Sequence, residues 1–288
     1  MDGAGWILSV GAVMYLSDLG SNPLIIDDGN ASKFVDQWRQ EGYSFGMVSR
    51  DYAAAPFGSA SRPLYQYQYE SDRNKLRDRI KRADENKATP DDWRIAGEVD
   101  VLDQDQWGYC WFYGCTGAAL TSYAMTGVKA PKLNPFPTAY RGKQGRNQGG
   151  WAEEALRYIE QWGIVEASLW PGHEAKMSNW DRREVQENAA RYKVTQSLEL
   201  PQKDLFALIS VLTDPKWPRP VTIGLDWWGH LVYAVRAMIL DGGLFGIKFV
   251  NSWKITWGQQ GCGILTESKA RASEQIAIQR VSPLVLAA

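Results

Sequence analysis

The apolar positions of this chain fall into helical spacing in its first half and into strand-like runs in its second. In SKFVDQWRQEG, Phe34, Val35 and Trp38 mark one face of a short helix that Gly42 should end. SDRNKLRDRIKRADENK reads as a charged helix with Leu76 and Ile80 on a thin apolar face, its remaining charges forming a solvated surface. The intervening YAAAPFGSASRPLYQYQY is loop-like. From Asp91 the patterns sharpen. CWFYGCTGAALTSYAMTG is long enough for an apolar helix with Cys110 in its first turn and Gly127 as its stop. WAEEALRYIEQWG predicts a second, with Trp151, Ala155, Tyr158, Ile159 and Trp162 along one face and Gly163 at its end. PVTIGLDWW, HLVYAVRAMIL and LFGIKFVNSW are then β-rich runs separated by turn signals that include DGG. This order predicts an α+β architecture with a cleft between a helical and a strand-rich half, residues 91–288, preceded by an extension, residues 1–90.

Composition narrows the function classes. With 32 Lys and Arg against 33 Asp and Glu, the chain has no field for steering nucleic acid or an anionic membrane, so neither is expected as a partner. The 288 residues are 44% hydrophobic, enough for a core that needs no crosslinks. Cys110, Cys115 and Cys262 form neither a disulfide framework nor a metal knuckle, which fits a reducing compartment. The apolar stretch from Trp6 to Leu16 is too short to span a bilayer and lacks the basic leader of a signal peptide.

The chain has two histidines, and His230 stands in the order Cys110, His230, Asn251, which suits thiolate chemistry. A helix N-terminus and a neighbouring imidazolium would each lower the pKa of the Cys110 thiol. His230 heads an alternating apolar run, a rigid strand position facing a cleft. Asn251 follows the next run, and antiparallel pairing across the DGG turn would bring its amide beside the imidazole. Cys115 and Cys262 read as small buried hydrophobes, and His173, in WPGHEAK, as a surface residue.

Taken with their surroundings, these residues resemble the papain family of cysteine peptidases. Asp92, Trp93, Arg94, Gly97, Val99 and Val101 stand where that family's mature enzyme begins. Gln104 lies six residues before Cys110, in the place of the family's oxyanion-hole glutamine, and Gly108 and Trp111 also fit. NQGGWAEEALRYIEQWGI resembles the family's glycine pair and helix, which implies that Gly149 and Gly150 pair with an extended substrate. Asn251, Ser252 and Trp253, then Trp257, Gly258 and Gly261, follow the family's Asn-Ser-Trp and Trp-Gly blocks in order and spacing. The resemblance implies a two-lobed fold: a helical lobe whose central helix starts at Cys110, and an antiparallel β-barrel-like lobe. It implies hydrolysis of a peptide or protein substrate through a Cys110 thioester with no metal or organic cofactor, Trp253 shielding the His230–Asn251 bond.

The pattern also departs from the family. Trp107 and Asn147 replace the cysteines usually joined across the active-site half, Tyr109 is bulky beside Cys110, and Leu231 follows His230 where a small residue is common. Only DWWG links the PVTIGL strand to His230, in place of a long excursion, and Gly224 falls near the wall of the specificity pocket. The extension lacks the family's inhibitory helical signature, which leaves it as a prosegment over the cleft or a domain docking the chain to an assembly partner. The altered rim keeps two alternatives open beside hydrolysis: a non-catalytic scaffold of a larger assembly such as a virus particle, and acyl transfer to an amine.

Overall fold

A computed structural model describes residues 23–282; the Trp6–Leu16 stretch lies outside them. In chain order the elements are β1 (Ile25–Ile26), α1 (Ala31–Gln40), α2 (Arg73–Glu85), α3 (Pro90–Ala96), α4 (Cys110–Ala124), β2 (Leu133–Asn134), α5 (Phe136–Gly142), α6 (Ala152–Trp162), β3 (Val165–Glu166), α7 (Arg183–Ala189), β4 (Val194–Glu199), α8 (Leu205–Leu212), β5 (Val221–Leu225), β6 (His230–Ile239), β7 (Phe245–Val250), β8 (Cys262–Thr266) and β9 (Glu274–Val281). The main sheet has the strand order β1-β8-β7-β6-β5-β9-β4, antiparallel throughout except that β1 joins its edge parallel to β8. The α+β class holds. The strand-rich lobe is a seven-stranded sheet, and one of those strands comes from the extension.

Strand β6 is buried along nearly its whole length. Leu231, Tyr233 and Val235 pack into a core shared with α4 and α6, while Val232 and Ala234 face a second core with α8. Both faces are therefore covered, which is why HLVYAVRAMIL is almost continuously apolar instead of alternating with polar residues. Helix α4 lies against β6 through two glycines. A Cβ at Gly114 would fall 2.4 Å from Leu231 Cδ2, and one at Gly117 2.3 Å from the Tyr233 ring. That contact brings the start of α4 to the start of β6, and so Cys110 to the neighbourhood of His230.

The second core incorporates the extension. Ile26, Ala31, Val35, Trp38, Leu76 and Ile80 are buried in it beside Trp228, Phe249, Trp253 and Trp257. At roughly 1.5–3 kcal/mol for each large apolar side chain removed from water, this is a substantial attachment. Trp228, in the short Asp226–Gly229 connection, packs on Trp38 of the extension, with ring centroids 4.9 Å apart. Helix α2 is capped by Asp72, whose side chain accepts from the Asn74 and Lys75 N–H groups. Its charges are not simply solvated. Asp84 is buried and pairs with Arg236 at 2.8 Å, Arg73 pairs with Glu267, and Arg77 donates to the Gly243 carbonyl. The charge run serves docking within the chain.

Candidate active site

Cys110 is the first residue of α4, and its side chain is fully buried. The backbone N–H groups of Leu231, Gly46, Trp111 and Met47 surround the thiol and pull its pKa down, but burial outweighs them and pushes it up to about 12. His230 is equally buried. Its Nε2 lies 2.7 Å from Asn251 Oδ1, which also accepts from the Ser252 N–H at 2.8 Å. Among the described residues Nδ1 has no hydrogen-bond partner. Burial pushes the imidazole down to about 3, against the opposing effect of Asn251. Burial thus shifts both groups toward their neutral forms, opposite to the lowering of the thiol pKa that the sequence predicts.

Aromatic rings hold the imidazole. Trp253 lies 4.4 Å from it by centroids, Trp228 4.8 Å and Phe45 6.0 Å. Trp228 was visible in the sequence only as part of a shortened connection. Trp111 is buried beside Gly150, with the Lys143 ammonium 4.7 Å from its ring centroid. Trp107 and Asn147 replace the expected crosslink with packing and hydrogen bonds: Trp107 stacks on Tyr109 at 5.3 Å, and Asn147 Oδ1 accepts from the Gly108 N–H at 2.7 Å. Tyr109 turns into the core and donates to the Arg146 carbonyl. His173 is not a plain surface residue. It is half-buried, with Nε2 within hydrogen-bonding distance of the Asp103 carbonyl and the Tyr113 hydroxyl, tying a loop to α4.

Gln104 is buried, with Oε1 accepting from the Ser252 hydroxyl at 2.6 Å. Its Nε2 donates to Trp107 O at 2.7 Å and to Ser44 O at 3.0 Å, and Trp253 Nε1 donates to the same Ser44 carbonyl at 3.2 Å. Ser44 opens a strap from the extension that crosses the site. The Met47 N–H donates to Gly229 O, the Val48 N–H to Gly150 O, and the Gly150 N–H to Gly46 O. Met47 pairs with Gly150 in parallel. The strap passes so close that a Cβ on Gly46 would sit 1.8 Å from the Gly108 carbonyl oxygen, so only glycine fits. Cys110 thus faces strap amide N–H groups. Nothing in YSFGM signalled this role, since a single glycine among aromatic residues looks the same in any loop.

No protein-family model matches the chain. Curated relatives include the cathepsin L-like peptidase of Aedes aegypti, 27% identical over 198 residues, which cover 59% of this chain and 56% of that protein. Digestive cysteine proteinase 1 of Homarus americanus is 24% identical over 220 residues, 63% of this chain and 66% of that one. In both cases the match spans less than two thirds of the relative's length. Among solved structures, digestive procathepsin L 3 of the Tenebrio molitor larval midgut superposes with a TM-score of 0.56 at 17% identity over 88% of each chain. The fold is papain-like. The bromelain protease from Ananas comosus, solved in complex with the E64 inhibitor, shares this papain-like fold with a TM-score of 0.53 at 17% identity, covering 65% of this chain and 97% of its own. The sequence resemblance to papain-like cysteine peptidases and the fold therefore agree. Among the described residues no helix is long and apolar enough to cross a membrane.

Proposed function

We propose that this chain is a papain-like cysteine peptidase that hydrolyses peptide bonds through a thioester on Cys110, and that residues before about Pro90 hold its cleft closed. The observation that carries the reading is the His230–Asn251 couple, with Nε2 engaged at 2.7 Å and Nδ1 left open, at the head of the strand packed on the helix that Cys110 begins. Once the strap leaves and water enters, a proton passes from the Cys110 thiol to His230 Nδ1. The thiolate attacks the substrate carbonyl carbon. The oxyanion accepts from Gln104 Nε2 and the Cys110 N–H, and the His230 imidazolium protonates the departing amine. His230 then takes a proton from water, whose oxygen attacks the thioester, releasing the carboxylic acid and returning the thiol. Asn251 keeps the imidazole in one tautomer, and Trp253 screens that bond. Gly149 and Gly150 offer backbone to an extended substrate.

The strap supports the inhibitory half of this reading. It fills the groove, presents N–H groups rather than a carbonyl carbon to Cys110, and runs parallel to Gly150. The likeness to the procathepsin reaches across 88% of this chain, against 65% for bromelain. All three cysteines are unpaired, which supports a reducing compartment.

Intact-mass analysis after exposure to a thiol-reactive epoxide tests the proposal. The full-length wild type should label slowly. Gly46→Val, which cannot seat the strap, should take one adduct per chain, and adding Cys110→Ala should remove it. If neither wild type nor Gly46→Val acquires an adduct, the chain is a scaffold without an activated thiol.

A further inference from the structure

Beyond the cleft, the strap ends in a socket. Arg50 buries its guanidinium between two carboxylates of the strand-rich lobe, with Nη1 2.5 Å from Glu199 Oε1 and 3.1 Å from Glu274 Oε1. All three side chains are at most 2% exposed. Of the other donors, Nε goes to Ala55 O and Nη2 to Pro56 O and Ser59 Oγ of the extension, with a longer bond from Nη2 to Glu199 Oε2 at 3.4 Å. Tyr52 places its ring 4.7 Å from the guanidinium carbon. Every acidic partner in the socket therefore belongs to the lobe that would remain if the strap left.

Glu274 also borders the groove. Its carboxylate accepts from the Ala152 and Glu153 N–H groups, at the first turn of α6 and two residues beyond Gly150. It pairs across the sheet with Gly224. A Cβ at Gly224 would lie 2.8 Å from Met47 Cε and 3.5 Å from Glu274 Cβ, so the Met47 side chain covers Gly224 on the sheet face that also carries Glu274. A longer side chain from a residue paired with Gly150 would extend over Gly224 in the direction of Glu274.

We infer that the Glu199 and Glu274 carboxylates form a guanidinium subsite of the cleft, held by Arg50 in the closed chain and by an arginine side chain of the peptide substrate in the open one. This rests on the reading of the groove as a peptide-binding cleft. Two buried carboxylates left facing each other without a cation repel and are poorly solvated, so displacement of Arg50 creates a strong demand for a replacement. Burial raises the Glu274 pKa to about 7 and the Ala152 and Glu153 N–H groups oppose it, so above that pH the ionised carboxylate calls for a cation. A planar fork satisfies two carboxylates better than a point charge, so arginine should exceed lysine.

The test uses the full-length protein in two arms at about pH 8, where carboxylates ionise. In the first, Arg50→Ala empties the socket, with Arg50→Gln as a milder variant, and thermal unfolding is followed against added ethylguanidinium, ethylammonium or urea. The variants should melt below wild type and regain the loss saturably with ethylguanidinium, less with ethylammonium and not with urea. In the second, Gly46→Val is given peptides matched except for arginine or its neutral isostere citrulline. The arginine peptide should have a kcat/KM roughly tenfold or more above its partner, and Glu274→Gln should bring the ratio close to one. Absence of saturable recovery in both Arg50 variants would make the pair a structural tie and overturn the inference. Recovery with equal turnover of the two peptides would overturn its substrate half. Recovery without turnover of any peptide would uphold the guanidinium site and sink the peptidase reading instead.

Discussion

Gln104 Nε2 and the Ser44 carbonyl lie 3.0 Å apart, and Trp253 Nε1 reaches the same oxygen. A backbone carbonyl from the chain itself thus occupies the Gln104 amide donor that the proposed mechanism gives to the oxyanion. Gln104 is held there from two sides, by the Ser252 hydroxyl on its carbonyl oxygen and by Trp107 O on its amide. Because the donor is fixed in advance, its worth appears in the transition state. In a Gly46→Val background, Gln104→Ala should lower kcat by on the order of 100-fold with little change in KM. A loss confined to KM would show that Gln104 only binds the ground state.

Trp38 joins the extension to the aromatic cage around His230. It is 4% exposed, with Trp228, Trp253 and Trp257 at 4.9, 5.6 and 5.4 Å by centroids. Replacing it by alanine leaves a cavity that three tryptophans cannot close without moving. Trp38→Ala should cost about 3–5 kcal/mol in denaturant unfolding. Unfolding within 1 kcal/mol of wild type would mean that α1 is only loosely seated.

This attachment marks where the sequence was readable and where it was not. Helices α1 and α6 were legible because each carries an apolar stripe and a glycine near its end, α2 because Leu76 and Ile80 mark a thin apolar face among its charges, α4 because it is a long apolar run that stops near Gly127, and β5 to β7 because apolar runs are bounded by turns. The spacing of Cys110, Gln104, His230 and Asn251 pointed to one cleft because those residues cluster with motif neighbours. The strap was invisible. Its hold on the site is through backbone N–H and C=O groups, which every residue carries, and through Gly46, whose need arises only from the distant Gly108 carbonyl. Asp84 and Arg50 misled or escaped notice for the same reason: a charge on a polar segment looks solvated until the fold supplies Arg236 or the Glu199 and Glu274 pair.

Burial of His230 makes acid stability depend on it. Its ordinary pKa of 6.5 falls to about 3 in the folded chain. Below 6.5 the unfolded chain binds a proton that the folded one refuses, so stability declines as pH falls from 6.5 toward 3. Glu274 acts in the opposite sense, raised from 4.5 to about 7 chiefly by burial, so its contribution is fullest at low pH and fades as pH rises through that window. Comparing wild type with His230→Gln isolates the histidine. Between about pH 7 and pH 5, wild type should lose more unfolding free energy than the variant. Equal losses would mean that the imidazole is hydrated in the closed chain.

Asn147 does locally what a crosslink does elsewhere. Its Oδ1 accepts from the Gly108 N–H at 2.7 Å and its Nδ2 donates to Gln106 O at 3.3 Å, bridging the loop before Cys110 to the segment before Gly149. Gly108 is also the residue whose carbonyl stands against Gly46. Removing the Asn147 amide therefore orphans a partly buried N–H and loosens the wall on which the strap rests. Asn147→Ala should cost about 1–3 kcal/mol of stability. It should also speed epoxide labelling of Cys110 in the full-length chain, in which Gly46 is unchanged. Asn147→Asp keeps the acceptor for the Gly108 N–H and should label at the wild-type rate. Stability lost without faster labelling in Asn147→Ala would show that the strap is held by its contacts with Gln104, Gly150, Gly229 and the Arg50 socket, independently of the Gly108 wall.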